Sequence, residues 1–135
     1  MVTVYKKDDL QVDPGYIDYI INFVKFAAKV LKMDDQDFKI FLLGKGQDNQ
    51  STTGGYNPSN DNINALYEGR ALIDILRSIA HEMEHQRQNK LNLIPTDKQP
   101  QDIGGFLEND ANIIAGILIK LYVKHYLKDR SIYFM

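Results

Sequence analysis

"RALIDILRSIAHEMEHQRQNK" (residues 70–90) is the stretch on which the reading of this chain turns. Leu72, Ile75, Leu76, Ile79 and Met83 recur at helical spacing, so the segment from about Arg70 to Lys90 reads as an amphipathic helix. Inside it "HEMEH" (81–85) holds two of the three histidines of the protein, four residues apart, with Glu82 directly after the first. On a wheel that advances about 100° per residue, His85 lies roughly 40° from His81, and the apolar stripe lies on the other side. Side chains one turn apart stand over one another, which lets two imidazole nitrogens converge on one cation. Glu82, about 100° round from His81, stands beside such an ion and not on it, where a general base would take a proton from water. The same pair is also what a solvated helix face would carry, so the motif needs a third ligand to be read as a site.

A catalytic zinc takes three protein ligands and leaves one position for water. The chain has no cysteine, which excludes thiolate sites and disulfides and leaves His, Asp and Glu. The continuation HExxHxxGxxH is absent, since Gln88 and Leu91 occupy the positions it needs. A carboxylate from the next helix is the other solution, and "GGFLENDANIIAG" (104–116) supplies Glu108, with Asp110 as the alternative. The two are about 200° apart on a helix, so only one can face the ion, and Glu108 is preferred. His125, some 17 residues and roughly 25 Å of helix beyond Glu108, is too far away to share it. Met83 falls on the core stripe.

HExxH at 81–85, a connecting loop, and then ExxA(N/D) carried by Glu108, Ala111 and Asn112 resemble the glutamate-type zincins. The likeness is to their small intracellular branch, the ImmA/IrrE-like metallopeptidases and similar short phage- or mobile-element-encoded proteins, and it covers about residues 63–118. The resemblance implies a zinc ion held by His81, His85 and Glu108, with Glu82 as base and proton shuttle. It also implies that Asn112, four residues after the third ligand, steadies a zinc-bound histidine. Ile114 replaces a phenylalanine common after the family's second motif, and no helix-turn-helix or sensor domain is read in these residues. A repressor-cleaving or stress-sensing role therefore does not carry over.

Outside these motifs the chain reads as one domain over 1–135, α+β in class. "PGYIDYIINFVKFAAKVLKM" (14–33) has Ile17, Ile20, Ile21, Val24, Ala27, Ala28 and Leu31 at helical spacing behind a proline. "FKIFLLG" (38–44) is a short β-prone run ended by glycine, read as a buried strand. The glycine-rich 44–55 loop lacks the GxxxxGK(S/T) phosphate-binding pattern. A turn signal at Pro58–Asp61 predicts a hairpin, or a loop feeding an edge strand at Ile63–Tyr67. Residues 91–105 read as a connecting loop, and a last helix is expected over about 106–127. The expected architecture is thus a minimal zincin fold: amino-terminal helix, small mixed sheet with an edge strand, HExxH helix and carboxy-terminal helix.

With a net charge of −2, the chain has no electrostatic footprint for nucleic acid. "MVTVYKKDDL" lacks the apolar centre and cleavage site of a leader, and "IIAGILIKLYV" (113–123) is too short to cross a bilayer. No membrane association and a cytoplasmic location are expected. The expected activity is a zinc-dependent peptidase acting on a peptide or protein substrate. By analogy with zincins, Ile63 and Tyr67 of the edge strand would line the substrate cleft, and Tyr56 or Tyr67 could donate to an oxyanion, although core packing is favoured for both. The rival reading is a structural or binding component with a non-catalytic metal, for instance in a phage particle with a phage or host protein partner.

Overall fold

Phe38–Leu43 alternates buried and half-buried residues, the period of a strand with one face on a core. The computed structural model describes residues 1–46, 53–95 and 105–135 and makes this segment β2 of a four-stranded sheet. Before it come β1 (Val2–Lys6) and α1 (Pro14–Val30); after it come β3 (Gly54–Asn57), β4 (Asn62–Leu66), α2 (Leu72–Lys90) and α3 (Phe106–Leu121). A π-type turn (Tyr122–Leu127) and a short 3-10 helix (Arg130–Phe134) follow. The strand order is β1-β2-β4-β3, with β1, β2 and β4 parallel and β3 antiparallel to β4. The class is α+β, and the amino-terminal helix, mixed sheet, motif helix and last helix all occur as expected.

The helix ends follow local chemistry. Asp13 caps α1 by accepting from the Gly15 amide at 2.8 Å, and Pro14 needs no partner in the first turn. At the other end Lys32 turns left-handed (φ 57°), and the Met33 amide reaches back to the Ala28 carbonyl at 2.7 Å. This is why α1 stops at Val30 and not at Met33. α2 closes the same way through Asn92 (φ 60°), with the Leu93 amide on the Gln88 carbonyl at 2.9 Å. The last helix is regular only to Leu121; beyond it the Lys128 amide bonds to the Val123 carbonyl at 2.9 Å, a wider spacing than an α-turn allows.

Three expectations are corrected. First, β1 was not anticipated: its five residues pair with β2 from Val2↔Phe38 to Lys6↔Leu42, a partnership remote in sequence. Second, the predicted hairpin forms, but its outer arm is β3. β4 lies inside the sheet, so Ile63, with no exposed surface, is core and lines no cleft. The glycine pair of β3 offers little to bury, whereas Ile63 and Ala65 align with Ile40 and Leu42 of β2, and the more apolar strand takes the inner place. Third, Tyr67 lies beyond the end of β4 and is tied to the start of α1. Its hydroxyl accepts from the Asp13 amide at 3.0 Å, and its ring packs edge-on to Tyr16 at the start of α1.

Both α1 and α2 pack on the sheet, α2 over β3 and β4, and α3 lies along α2. Phe38, Ile40, Leu42, Tyr56, Ile63 and Ala65 join Phe23, Val24, Leu72, Ile75, Leu76, Ile79 and Met83 in the core. Because α3 covers the side of α2 that the sheet leaves open, α2 buries Glu82, Glu84, His85, Gln86 and Gln88 as well. The motif therefore does not lie on a solvated face. No described helix is long and apolar enough to cross a membrane.

Ile63→Ala tests the interior position of β4. Loss of a fully buried isoleucine should destabilise the protein by about 2–5 kcal/mol in chemical denaturation. A change within about 0.5 kcal/mol would instead mark a surface position.

Candidate metal centre

One turn apart on α2, the imidazoles of His81 and His85 meet nearly at right angles, with ring centroids 4.8 Å apart and Nε2 atoms 3.1 Å apart. Glu108, in the first turn of α3, reaches across to both. Its Oε1 lies 2.6 Å from His85 Nε2 and its Oε2 lies 3.2 Å from His81 Nε2. Two ligands on one tetrahedral zinc stand about 3.3 Å apart at ordinary bond lengths. The separations of 3.1 and 3.2 Å match that spacing, and only the Glu108–His85 contact would have to open. The site is sheltered: the His85 side chain is 1% exposed, His81 16% and Glu108 32%.

These three residues can hold a metal ion. Two imidazoles and a carboxylate present three electron-pair donors to one point, and without a cation or proton between them they repel. A proton is a poor substitute at His81. Burial first, and the neighbouring His85 second, push its imidazolium below the usual histidine range, against the opposing pull of Glu108 and Asn112. Asn112, exposed on α3, is near enough to His81 to add to that pull.

Glu82 stands outside this ligand group. It is 7% exposed, and burial, followed by the charge of Glu108, raises its carboxyl pKa to about 8. Its far side faces β3: a Cβ on Gly54 would sit 3.2 Å from Glu82 Oε2 and 3.0 Å from the Asn64 carbonyl oxygen. A side chain at this position would crowd both, and the neighbours would have to give by a few tenths of an ångström. Arg70 fixes the surroundings by donating to the Leu66 and Asp74 carbonyls at 3.0 Å each and to Ser78 Oγ at 2.9 Å, which ties the end of β4 to α2.

Asp110, the alternative third ligand, is engaged elsewhere. It accepts from Gln88 Nε2 at 2.9 Å, and the neighbouring Glu84 carboxyl first, then Gln88, hold Asp110 below the usual carboxylate range. Glu84 is fully buried and, chiefly through that burial, raised to about 8; its Oε2 accepts from Arg87 at 3.0 Å. Gln88 also accepts from His85 Nδ1 at 2.7 Å and donates to the Leu107 carbonyl at 3.0 Å. His125 is exposed beyond α3 and takes no part. Tyr56 gives its hydroxyl to Asp61 at 2.5 Å, at the turn of the β3–β4 hairpin, and is not placed as an oxyanion donor.

Sequence reasoning missed Gly54, Glu84 and Gln88. The last two belong to a polar run, Glu84–Lys90, that is indistinguishable by type from a solvated face; only the covering by α3 buries them. Gly54 could have been suspected from the diglycine at 54–55, had β3 been read as a strand. No family model matches the chain, and neither a curated protein nor a solved structure matches it.

The raised carboxyls give the metal-free protein a pH signature. Glu82 and Glu84 keep protons in the folded state that the unfolded chain releases above a pKa of about 4.5. Stability from this source is therefore complete below pH 4.5 and is lost as pH rises through about 8. The melting temperature of chelator-treated protein should fall across that window, and Glu84→Gln should flatten the slope. A melting temperature that rises over the same range would contradict the assignment.

Proposed function

We propose that the protein is a zinc-dependent peptidase of the glutamate-zincin kind. What supports this most is the position of Glu82: a buried carboxyl beside the His81–His85–Glu108 group, not part of it, and facing the outer strand of the sheet. A purely structural metal needs its ligands and nothing more. Two histidines and a glutamate are one of the donor sets that hold catalytic zinc. When bound there, zinc supplies Lewis acidity that polarises a carbonyl and acidifies water.

The remaining chemistry falls to the chain. Glu82 takes the proton of the attacking water and gives it to the leaving amine, and a carboxyl drawn toward neutrality by burial suits both transfers. Asn112, near His81, would steady its ring. β3 has a single strand neighbour among the described strands, so one side of its backbone is free for an extended peptide to join as a further strand. On its helix-facing side β3 comes close to Glu82 at Gly54. The substrate-pairing role expected of Ile63–Tyr67 thus moves one strand outward, to Gly54–Asn57.

Glu82→Gln tests the proposal. It preserves shape and leaves all three ligands, so zinc should stay bound, measured by metal analysis, and the fold should persist. The amide cannot accept a proton, and cleavage of a susceptible member of a peptide library should fall at least about a hundredfold. Equal cleavage by both proteins would sink the mechanism. Gly54→Ala should likewise retain zinc yet lower kcat/KM by about tenfold to a hundredfold, since the strand and Glu82 must separate. Unchanged kinetics there would remove β3 from the site.

A further inference from the structure

The carboxamide of Gln88 is fully buried and has each of its hydrogen-bonding groups engaged. Its nitrogen faces two oxygens, the Leu107 carbonyl at 3.0 Å and Asp110 Oδ2 at 2.9 Å. A backbone carbonyl has no proton to give at any pH, so the NH2 end of the amide must be the end that points there. Flipping it would set oxygen against oxygen twice in a buried place, where an unsatisfied polar group costs about 1–3 kcal/mol. With the amide fixed, its oxygen is what faces His85 Nδ1 at 2.7 Å. An amide oxygen cannot donate either, so Nδ1 must carry the hydrogen. A neutral imidazole has only one, and Nε2 is left with its lone pair. That lone pair points at His81 Nε2 and Glu108 Oε1.

We infer that Gln88 prepares the centre for its ion: it fixes the tautomer of His85 and, by the same two N–H groups, fastens the first turn of α3 to α2. The second effect matters because Leu107 and Asp110 flank Glu108. The amide that orients one ligand thereby also sets the helix turn that brings another. Gln88 is a positioning residue, since it touches neither substrate nor ion. The inference rests on His81, His85 and Glu108 being a metal group and is independent of whether the metal hydrolyses peptides. The partners of a metal-bound histidine typically contribute 10- to 100-fold in affinity.

The test has two readouts. In metal-free protein labelled with 15N, His85 should show a protonated Nδ1. In Gln88→Leu that signature should give way to a mixture of tautomers. Titrated with Co2+ and followed by its visible absorption, Gln88→Leu should bind about 10- to 100-fold more weakly than the wild type. Gln88→Glu keeps an acceptor for Nδ1 but cannot donate to Leu107 and stands against Asp110. It should retain the tautomer and still lose affinity, which separates the two effects. An unprotonated Nδ1 in the wild type would overturn the inference without any variant having to fold. So would a folded Gln88→Leu with unchanged tautomer and Co2+ affinity. A wild type that shows the tautomer but takes up no Co2+ would refute the metal reading and leave the control of His85 by Gln88 standing.

Discussion

The bond between His85 Nδ1 and Gln88 Oε1, 2.7 Å long, lies in a seam where α2 and α3 meet through polar side chains. Elsewhere in the molecule burial is a matter of apolar area. Here the polar groups need partners inside, because a buried charge without one costs several kcal/mol. The partners form a chain across the seam: Glu108 to both histidines, His85 to Gln88, and Gln88 to Leu107 and Asp110. Ridge-into-groove packing alone would leave the register of two helices loosely specified. A network with directional bonds does not, and sliding α3 by one residue would break several links together. The three ligands are thus set by the same contacts that dock the helix.

Beneath this seam the sheet does a different job. Three parallel strands put Phe38, Ile40, Leu42, Ile63 and Ala65 under the helices and give α2 a fixed bed. The fourth strand runs the other way and is the poorest in side chains. That poverty is what lets β3 approach: with Gly54 against Glu82, strand and carboxyl are separated by less than a methyl group needs. Sheet order, glycine placement and the proposed base are consequently one feature. A β3 rich in valine or isoleucine would pack better and close the site.

Much of this could be read from residue types at fixed spacing. His81, Glu82 and His85 declare themselves by a helical period, and Glu108 with Asn112 by a second motif on the next helix; the structure brings His81, His85 and Glu108 together as a group that could hold a metal ion. The strand of 38–43 and the three helices were legible for the same reason, since each rests on a periodic apolar pattern. What escaped depends on contacts between distant segments. β1 exists because Val2–Lys6 finds β2 more than thirty residues later. The inner position of β4 was decided by competition with β3 for apolar neighbours, which no local window reports. Glu84, Gln86 and Gln88 look like surface until α3 is laid over them. Of the loops expected at 44–55 and 91–105, residues 47–52 and 96–104 lie outside the described residues.

Glu82 separates the catalytic reading from the scaffold reading on energetic grounds. A protein selected only to hold an ion, or only to be a stable part of an assembly, gains nothing from a carboxyl whose burial raises its pKa to about 8. At neutral pH that residue must either keep a proton the solvent would take or bear a charge in a sheltered place, and both options destabilise the fold. Glutamine or leucine would fill the space at less cost. The strain is greater still because Gly54, itself a weak strand residue, keeps the neighbouring backbone close. Two neighbouring residues that each lower stability, and that together leave a buried carboxyl next to the His81–His85–Glu108 group, favour the proposed catalytic role over the scaffold one.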